Sequence, residues 1–358
     1  MKANTCIVTG GAGFIGCAIS AGLTERFERV IAIDTLNPQI HKQPVRPAEL
    51  AAGVELVVGD ICEGALWDGL LEKMKSGFTV VHLAAETGTA QSLGCSTLHT
   101  HTNVVGTSVM LDSFTRSGKM PAQVLLTSSR AVYGEGAWQK DSGEVFYPGQ
   151  RSDRQLQQAQ WDFPGAKHLP MRADRVTPMP TSVYGSTKLC QEHLLSVWCK
   201  AMNVGCKIVR LQNVYGPGQS LINPYTGIVS LFVRLSKAGK PIELYEDGQI
   251  IRDFVLIDDV ARAILMDIDS DAGFEYVFDI GTGVENTIGD MARIIARRYG
   301  APEPQVCGKY RNGDVRHACC DASLTKEKLG FAAQYSLEAG LEKLCAWIDG
   351  QMDGKAAE

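Results

Sequence analysis

No run of about eighteen apolar residues free of charge occurs in this chain, so the sequence offers no membrane span. A block of lysines and arginines is missing too. With 35 basic and 40 acidic residues the formal net charge is -5, which argues against a nucleic-acid or anionic-membrane surface and leaves any anionic ligand to local positive charge. The amino terminus carries one lysine and enters an apolar strand at once, without a separate cleavage region, so no signal peptide is read there. Cys-x-x-Cys pairs are absent. The 11 cysteines are scattered, and the neighbours Cys319 and Cys320 are poorly set to bridge each other, which points to reduced thiols and a cytoplasmic protein. The stretch 135–180 shows no metal-ligand spacing, His168 stands alone in it, and no metal is expected. No internal repeat is visible. What the chain does have is length: 358 residues, 45% hydrophobic and 21% charged, enough for a large core and about two domains.

The first twenty residues organise the rest. Cys6-Ile7-Val8 reads as a buried strand, Gly10 to Gly13 as a tight turn, and Phe14 onward as a helix with an apolar face. Gly10 can take the positive φ of the turn, Gly13 admits a pyrophosphate to the backbone, and Gly16 lets helix and strand lie close. Free N–H groups and the positive end of the helix dipole would then face phosphates. A second strand, Arg29 to Ile33, ends at Asp34, set to accept from a ribose 2′-OH; an acid there repels a 2′-phosphate, so NAD is favoured over NADP.

Strand and helix keep alternating, which predicts an α/β fold: a doubly wound parallel sheet of Rossmann type with helices on both faces. Val54 to Val58 is a strand ending at Asp60-Ile61, where Asp60 is either a contact to the adenine amino group or a turn aspartate. Leu66 to Lys75 reads as a helix. In the strand Thr79 to Ala85, the small residues after Leu83, Ala84 and Ala85, suit a flat ligand. Thr87 to Ser92 follows as a polar loop at the carboxyl edge, where such sheets bind ligands. Asn103 to Phe114 has helical apolar spacing, and the strand Gln123 to Ser129 runs into Arg130. Residues 135–180 lose all periodicity and are read as a surface insertion or active-site cover. Later helices are expected from Ser182 to about Met202, at Ile228 to Lys237, from Val260, at Ile288 to Tyr299 and at Leu337 to Asp349. Further strands are expected at Cys206 to Leu211, Pro241 to Tyr245 and Val277 to Ile280, and the tail 350–358 is expected to fray. Residues 1–217 are read as the nucleotide-binding domain, with 251–270 returning to it, and 218–358 as a smaller α/β substrate-binding region.

Tyr184 and Lys188 are four residues apart and share one helical face. A tyrosine titrates near ~10; a lysine one turn away and a positive nicotinamide ring would favour its phenolate and make Tyr184 a usable base. Ser129 could hydrogen-bond the same substrate hydroxyl and hold it in line.

These residues resemble the extended short-chain dehydrogenase/reductase family, and within it the nucleotide-sugar epimerases and dehydratases. The likeness spans nearly the whole chain: Thr9 to Gly16, Asp34, Asp60-Ile61, His82 to Ala85, Asn103 to Thr107, Ser128-Ser129, Tyr184 to Lys188 and Arg210 to Gly216. It implies tightly held NAD, contacted also by Phe14, Ile15, Asn103 and Ser128, and a Ser129/Tyr184/Lys188 catalytic set. It implies as well a carboxyl-terminal region that grips a nucleoside diphosphate sugar, and a paired-helix homodimer. By the same resemblance Asn213 and Arg252 meet the diphosphate, and the 310–316 stretch with Arg311 and Asp314 adds contacts, as do Thr87 and Tyr245. Arg130 either steers a sugar hydroxyl or pairs with an acid in the insertion.

The dehydratases of this family carry an Asp-Glu pair where this chain has Arg130 and Ala131, and the decarboxylases keep a glutamate at the second of those positions. A 4-epimerase needs neither. Residues 129–136, 86–89 and 216–227 look most like enzymes that invert C4 of dTDP-L-rhamnose through a transient 4-keto sugar to give dTDP-6-deoxy-L-talose. A dTDP-sugar is thus favoured over a UDP-sugar, with a UDP-sugar 4-epimerase or a nucleotide-sugar reductase or dehydratase as alternatives.

Overall fold

Seven parallel strands form the central sheet of the computed structural model, which describes residues 3–221 and 227–353. They are β1 (Ala3–Thr9), β2 (Phe27–Asp34), β3 (Val54–Val58), β4 (Thr79–His82), β5 (Gln123–Ser129), β6 (Gly205–Leu211) and β7 (Phe278–Ile280). Across the sheet the order is β7-β6-β5-β4-β1-β2-β3. The order reverses between β1 and β4, and their register, Thr9 opposite His82, brings Gly10 and Leu83 together at the carboxyl ends. A sheet of this kind opens a ligand crevice at that point.

Both faces of the sheet are covered, as its continuous apolar strands require. Cys6 and Val8 pack with Ile19 and Leu23 of the helix Phe14–Arg26 and with Val260 and Ile264 of the helix Ile257–Asp269. Ile7, one residue out of phase, packs on the other face with Trp67, Met110, Phe114 and Leu195. A separate core joins helices Ile228–Lys237, Ile288–Tyr299 and Leu337–Asp353 through Phe232, Met291 and Leu344.

Several elements differ from the sequence reading. Residues 257–269 pack on the central sheet, and β7, inside the stretch read as substrate region, is a strand of that sheet. The helix expected from Asn103 opens with a π-helical turn, His101–Val105, before Gly106–Ser117. The 135–180 stretch is not featureless: Trp138–Lys140 pairs antiparallel with Val145–Phe146 and Ala166–His168. Strands of two or three residues are too short to display a period. Residues 222–226 of the 216–227 motif and 354–358 of the expected frayed tail lie outside the described residues. All eleven cysteines are free thiols. None of the described helices is long and apolar enough to cross a membrane.

Candidate active site

The glycine loop sits against the end of β4. Gly10 has φ +66 and donates to the Ile33 carbonyl at 2.7 Å; a Cβ there would lie 2.8 Å from the Ala84 nitrogen. At Gly16 a Cβ would lie 2.7 Å from the Gly11 Cα, so helix and loop touch backbone to backbone. Gly13 caps the helix Phe14–Arg26 without a side-chain bond, leaving first-turn N–H groups for a ligand. The Asp34 carboxylate is oriented by the N–H groups of Ala12 (3.1 Å) and Leu36 (2.9 Å). A glycine loop packed too tightly for a Cβ at Gly10 or Gly16, an uncapped helix start and a fixed acid at the strand end fit NAD. Gly10, Gly13 to Gly16, Asp34, Asp60, Ile61 and Leu83 to Ala85 line one continuous cleft of about 2140 Å³. Asp60 is a turn aspartate, its Oδ1 accepting from the Cys62 N–H at 2.9 Å, and its place on the cleft wall keeps the adenine contact open as well.

Asn103 is a different case. It is fully buried, and its amide accepts from the Glu86 N–H (2.7 Å) and donates to Thr187 Oγ1 (2.9 Å). The π-helical turn directs it inward, where it ties the loop after β4 to the helix that carries Tyr184. Asn103 is not among the residues that line the cleft.

Tyr184 lies in the first turn of the helix Val183–Met202, whose N-cap Ser182 accepts from the Gly185 N–H at 3.0 Å. The Tyr184 N–H donates to Ser92 Oγ at 3.1 Å. Ser129 ends β5, accepts from the Ala131 N–H at 3.2 Å and lies close enough to the Tyr184 side chain to lower its pKa. Its neighbour Ser128 points the other way, its hydroxyl held by Glu192, which pairs with Arg210 at 2.7 Å.

Neighbours other than Lys188 act on the Tyr184 phenol. Burial raises the Tyr184 pKa; the Ser129 hydroxyl and the Arg130 charge oppose it. Lys188 Nζ donates instead to Gln191 Oε1 at 2.5 Å, and burial pushes its pKa down to about 7. Arg130 is a cation whose charge favours the Tyr184 phenolate. Gln191, one turn beyond Lys188, also bonds Thr107 Oγ1 (2.9 Å) and His82 Nε2 (3.1 Å), and His82 Nδ1 meets Thr9 Oγ1 at 2.7 Å. Burial and the nearby Lys188 push His82 down to about 3, so it is neutral. Sequence reasoning missed Gln191, although its spacing of three from Lys188 was available.

Thr87, Arg130, Asn213, Tyr245, Arg252, Arg311 and Asp314 all reach the same cleft. Arg130 Nε donates to Asn213 Oδ1 at 3.1 Å. Burial and the Arg252 charge push Arg130 down to about 9, which leaves it a cation at neutral pH. Arg252 is buried and also lowered, against the pull of Asp314, Glu135 and Glu246. Two guanidiniums facing one enclosed space are what an anionic diphosphate would relieve. Arg311 stacks over the Tyr245 ring at 5.0 Å.

Beneath these residues the insertion is clasped to the carboxyl-terminal region by buried charge. Arg151 pairs with Glu246 at 2.7 Å and donates to the Asp314 carbonyl at 2.8 Å. Arg316 meets Glu246 (3.1 Å), Asp247 (2.7 Å) and Asp162 (2.9 Å), and its N–H donates to Glu135. His168, read as solitary, stacks on His317 with ring centroids 3.1 Å apart, beside Glu285. Its partners lie 117 and 149 positions away, beyond any local spacing rule.

Comparison with known proteins agrees with this geometry. The chain is 55% identical over 349 residues to the dTDP-L-rhamnose 4-epimerase of Burkholderia thailandensis, covering 98% of this chain and 96% of the relative. It is 28% identical to the UDP-glucose 4-epimerase of Mycolicibacterium smegmatis, covering 94% and 96%. The crystal structure of the UDP-glucose 4-epimerase of Thermotoga maritima with UDP-glucose superposes with a TM-score of 0.79 at 26% identity, covering 97% and 99%. The model of the NAD dependent epimerase/dehydratase family matches residues 6–153 and 163–281, and with the glycine cradle, Asp34 and the Ser129–Tyr184 pair in position, the chain belongs to that family.

Proposed function

We propose that the protein is a nucleotide-sugar 4-epimerase that converts dTDP-L-rhamnose to dTDP-6-deoxy-L-talose. The observation that carries the reading is the Ser129–Tyr184 hydroxyl pair, followed at once by Arg130 and Ala131 rather than by acids able to expel water or carbon dioxide. The 55% identity to a dTDP-L-rhamnose 4-epimerase supports the choice of sugar. Bound NAD supplies the reversible two-electron exchange at C4. Tyr184 takes the proton of the sugar 4-OH as that carbon becomes a ketone and returns it after the sugar has presented its other face. Ser129 holds the hydroxyl in line, and Arg130 favours the phenolate that Tyr184 must form. Lys188, steadied by Gln191, would hold the nicotinamide ribose. Arg252 and Asn213 keep the diphosphate anchored while the sugar turns. The same reading includes a cytoplasmic homodimer built on the helices Gly106–Ser117 and Val183–Met202, to be checked by light scattering.

NMR of purified enzyme with dTDP-L-rhamnose should reveal inversion at C4 with no net change in coenzyme absorbance. Turnover of UDP-sugars alone would move the assignment to a UDP-sugar 4-epimerase, and stoichiometric coenzyme consumption would make it a reductase. Tyr184→Phe should lower kcat by about 10²–10⁴-fold with NAD still bound; undiminished turnover would refute the proton-transfer role.

A further inference from the structure

Away from the cleft, three side chains from three separate stretches converge. His168 ends the insertion strand Ala166–His168, Glu285 follows β7, and His317 opens the strand His317–Ala318. Nε2 of His168 lies 3.0 Å from Glu285 Oε1, and Nε2 of His317 lies 3.1 Å from the same oxygen. All three potential ligand atoms fall within 4.8 Å of one another. Ligand atoms about 2.0–2.2 Å from a tetrahedral zinc stand roughly 3.3 Å apart, close to both nitrogen-to-oxygen distances here.

The rings are only 16° from parallel, and the Nε2 atoms of both lie within hydrogen-bond reach of one Glu285 oxygen, their common focus. Like-oriented imidazole dipoles stacked this closely repel each other. A divalent cation at the focus would replace that repulsion with attraction to two nitrogen lone pairs and a carboxylate. We propose that His168, Glu285 and His317 bind a divalent transition-metal ion of the zinc class. Two imidazoles and one carboxylate suit such an ion rather than calcium or magnesium. The half-exposed Glu285 leaves the remaining position to water. Loading the ion turns the rings out of their stack, since each lone pair lies in its own ring plane.

The site's location gives the ion a structural task. His317 pairs with Ile251 and Ala318 with Arg252 in a parallel ladder, and Asn286 pairs with Arg252 from the other side. An ion held by His168, His317 and Glu285 therefore fastens the insertion to both strands that flank Arg252. It acts as a cross-link, outside the reaction.

The test uses the full chain, stripped with a chelator and titrated with Zn²⁺ by calorimetry, with elemental analysis of the reloaded protein. One Zn²⁺ per chain and a rise in Tm at saturating Zn²⁺ are expected. His168→Ala and Glu285→Gln, both at partly exposed positions, should each weaken binding at least tenfold and abolish the Tm rise. Co²⁺ should give d–d bands without the sulfur-to-metal charge transfer of a cysteine site. No stoichiometric uptake, uptake unchanged in both variants, or a thiolate band would each overturn the proposal.

Discussion

The two walls of the cleft are made in different ways. On the nucleotide side the ligand would be met by main chain, with Gly10 and Gly16 letting strand, loop and helix approach until backbones touch. Side chains there mostly pack: Ile7, Ile19, Leu23 and Ile31 are fully buried and apolar. On the sugar side the ligand would be met by Arg130, Asn213, Arg252 and Arg311, and these stand on a base of buried ions in which Glu135, Arg151, Glu246 and Arg316 join residues far apart in the chain. A wall of main chain is set by a few contiguous residues. A wall of charge depends on every partner arriving, because an ion left alone in an interior costs far more than a lost contact.

Removing one partner on the sugar side should therefore be the most damaging change. Glu246→Ala leaves Arg151 and Arg316 facing each other without their shared acid, and a loss of about 3–5 kcal/mol is expected in urea or guanidinium unfolding. NAD affinity should survive in the fraction that folds, while KM for the nucleotide sugar rises. Equal loss of both ligands would erase the distinction between the walls.

The nucleotide side holds an exception that sharpens the contrast. Asp267 is fully buried with neither carboxylate oxygen hydrogen-bonded, and burial pushes its pKa up to about 7 despite Lys207 nearby. Its unfolded value is near ~3.9, so the unfolded chain releases the proton first. Stability is then fully present below about pH 4, declines as pH rises toward 7, and is flat above, at up to about 1.4 kcal/mol per unit of displacement. Asp267→Asn should reduce that slope in denaturation curves taken from pH 4 to 8. Glu135 and Asp279, also raised to about 7 chiefly by burial, should keep part of it.

Gly10→Ala puts a Cβ at a positive φ and against the Ala84 nitrogen, so a loss of about 1–3 kcal/mol is expected together with weaker NAD binding by calorimetry. The smallest effect is electrostatic. Arg130→Met removes a charge that lowers the Tyr184 pKa, so the pH profile of kcat/KM should shift toward higher pH. An unshifted profile would return the activating role to Lys188.

The same division explains what could be read from the residues alone. The glycine loop, Asp34, Tyr184 and the helices at 228–237 and 288–299 were legible because each is written in neighbours with a short period. The clasp of Arg151 on Glu246 spans 95 positions, and the His168–Glu285–His317 cluster spans 149, so neither leaves a local pattern. Asn103 was legible as important, whereas the π-helical turn that carries it and its bonds to Glu86 and Thr187 leave no mark in the composition.

Consecutive strand residues face opposite ways, and β5 ends on two serines that use this fully. Ser128 is committed to Glu192 and Arg210, while Ser129 looks toward Tyr184, with Ser129 opposite Leu211 in the ladder. A single-residue insertion or deletion within 123–129 would exchange the two hydroxyls, leaving the reactive one locked to an acid and the locked one adrift. The length of that strand is thus as much a specificity element as any side chain in the cleft, and directed evolution of this scaffold should tolerate substitutions along it far better than indels.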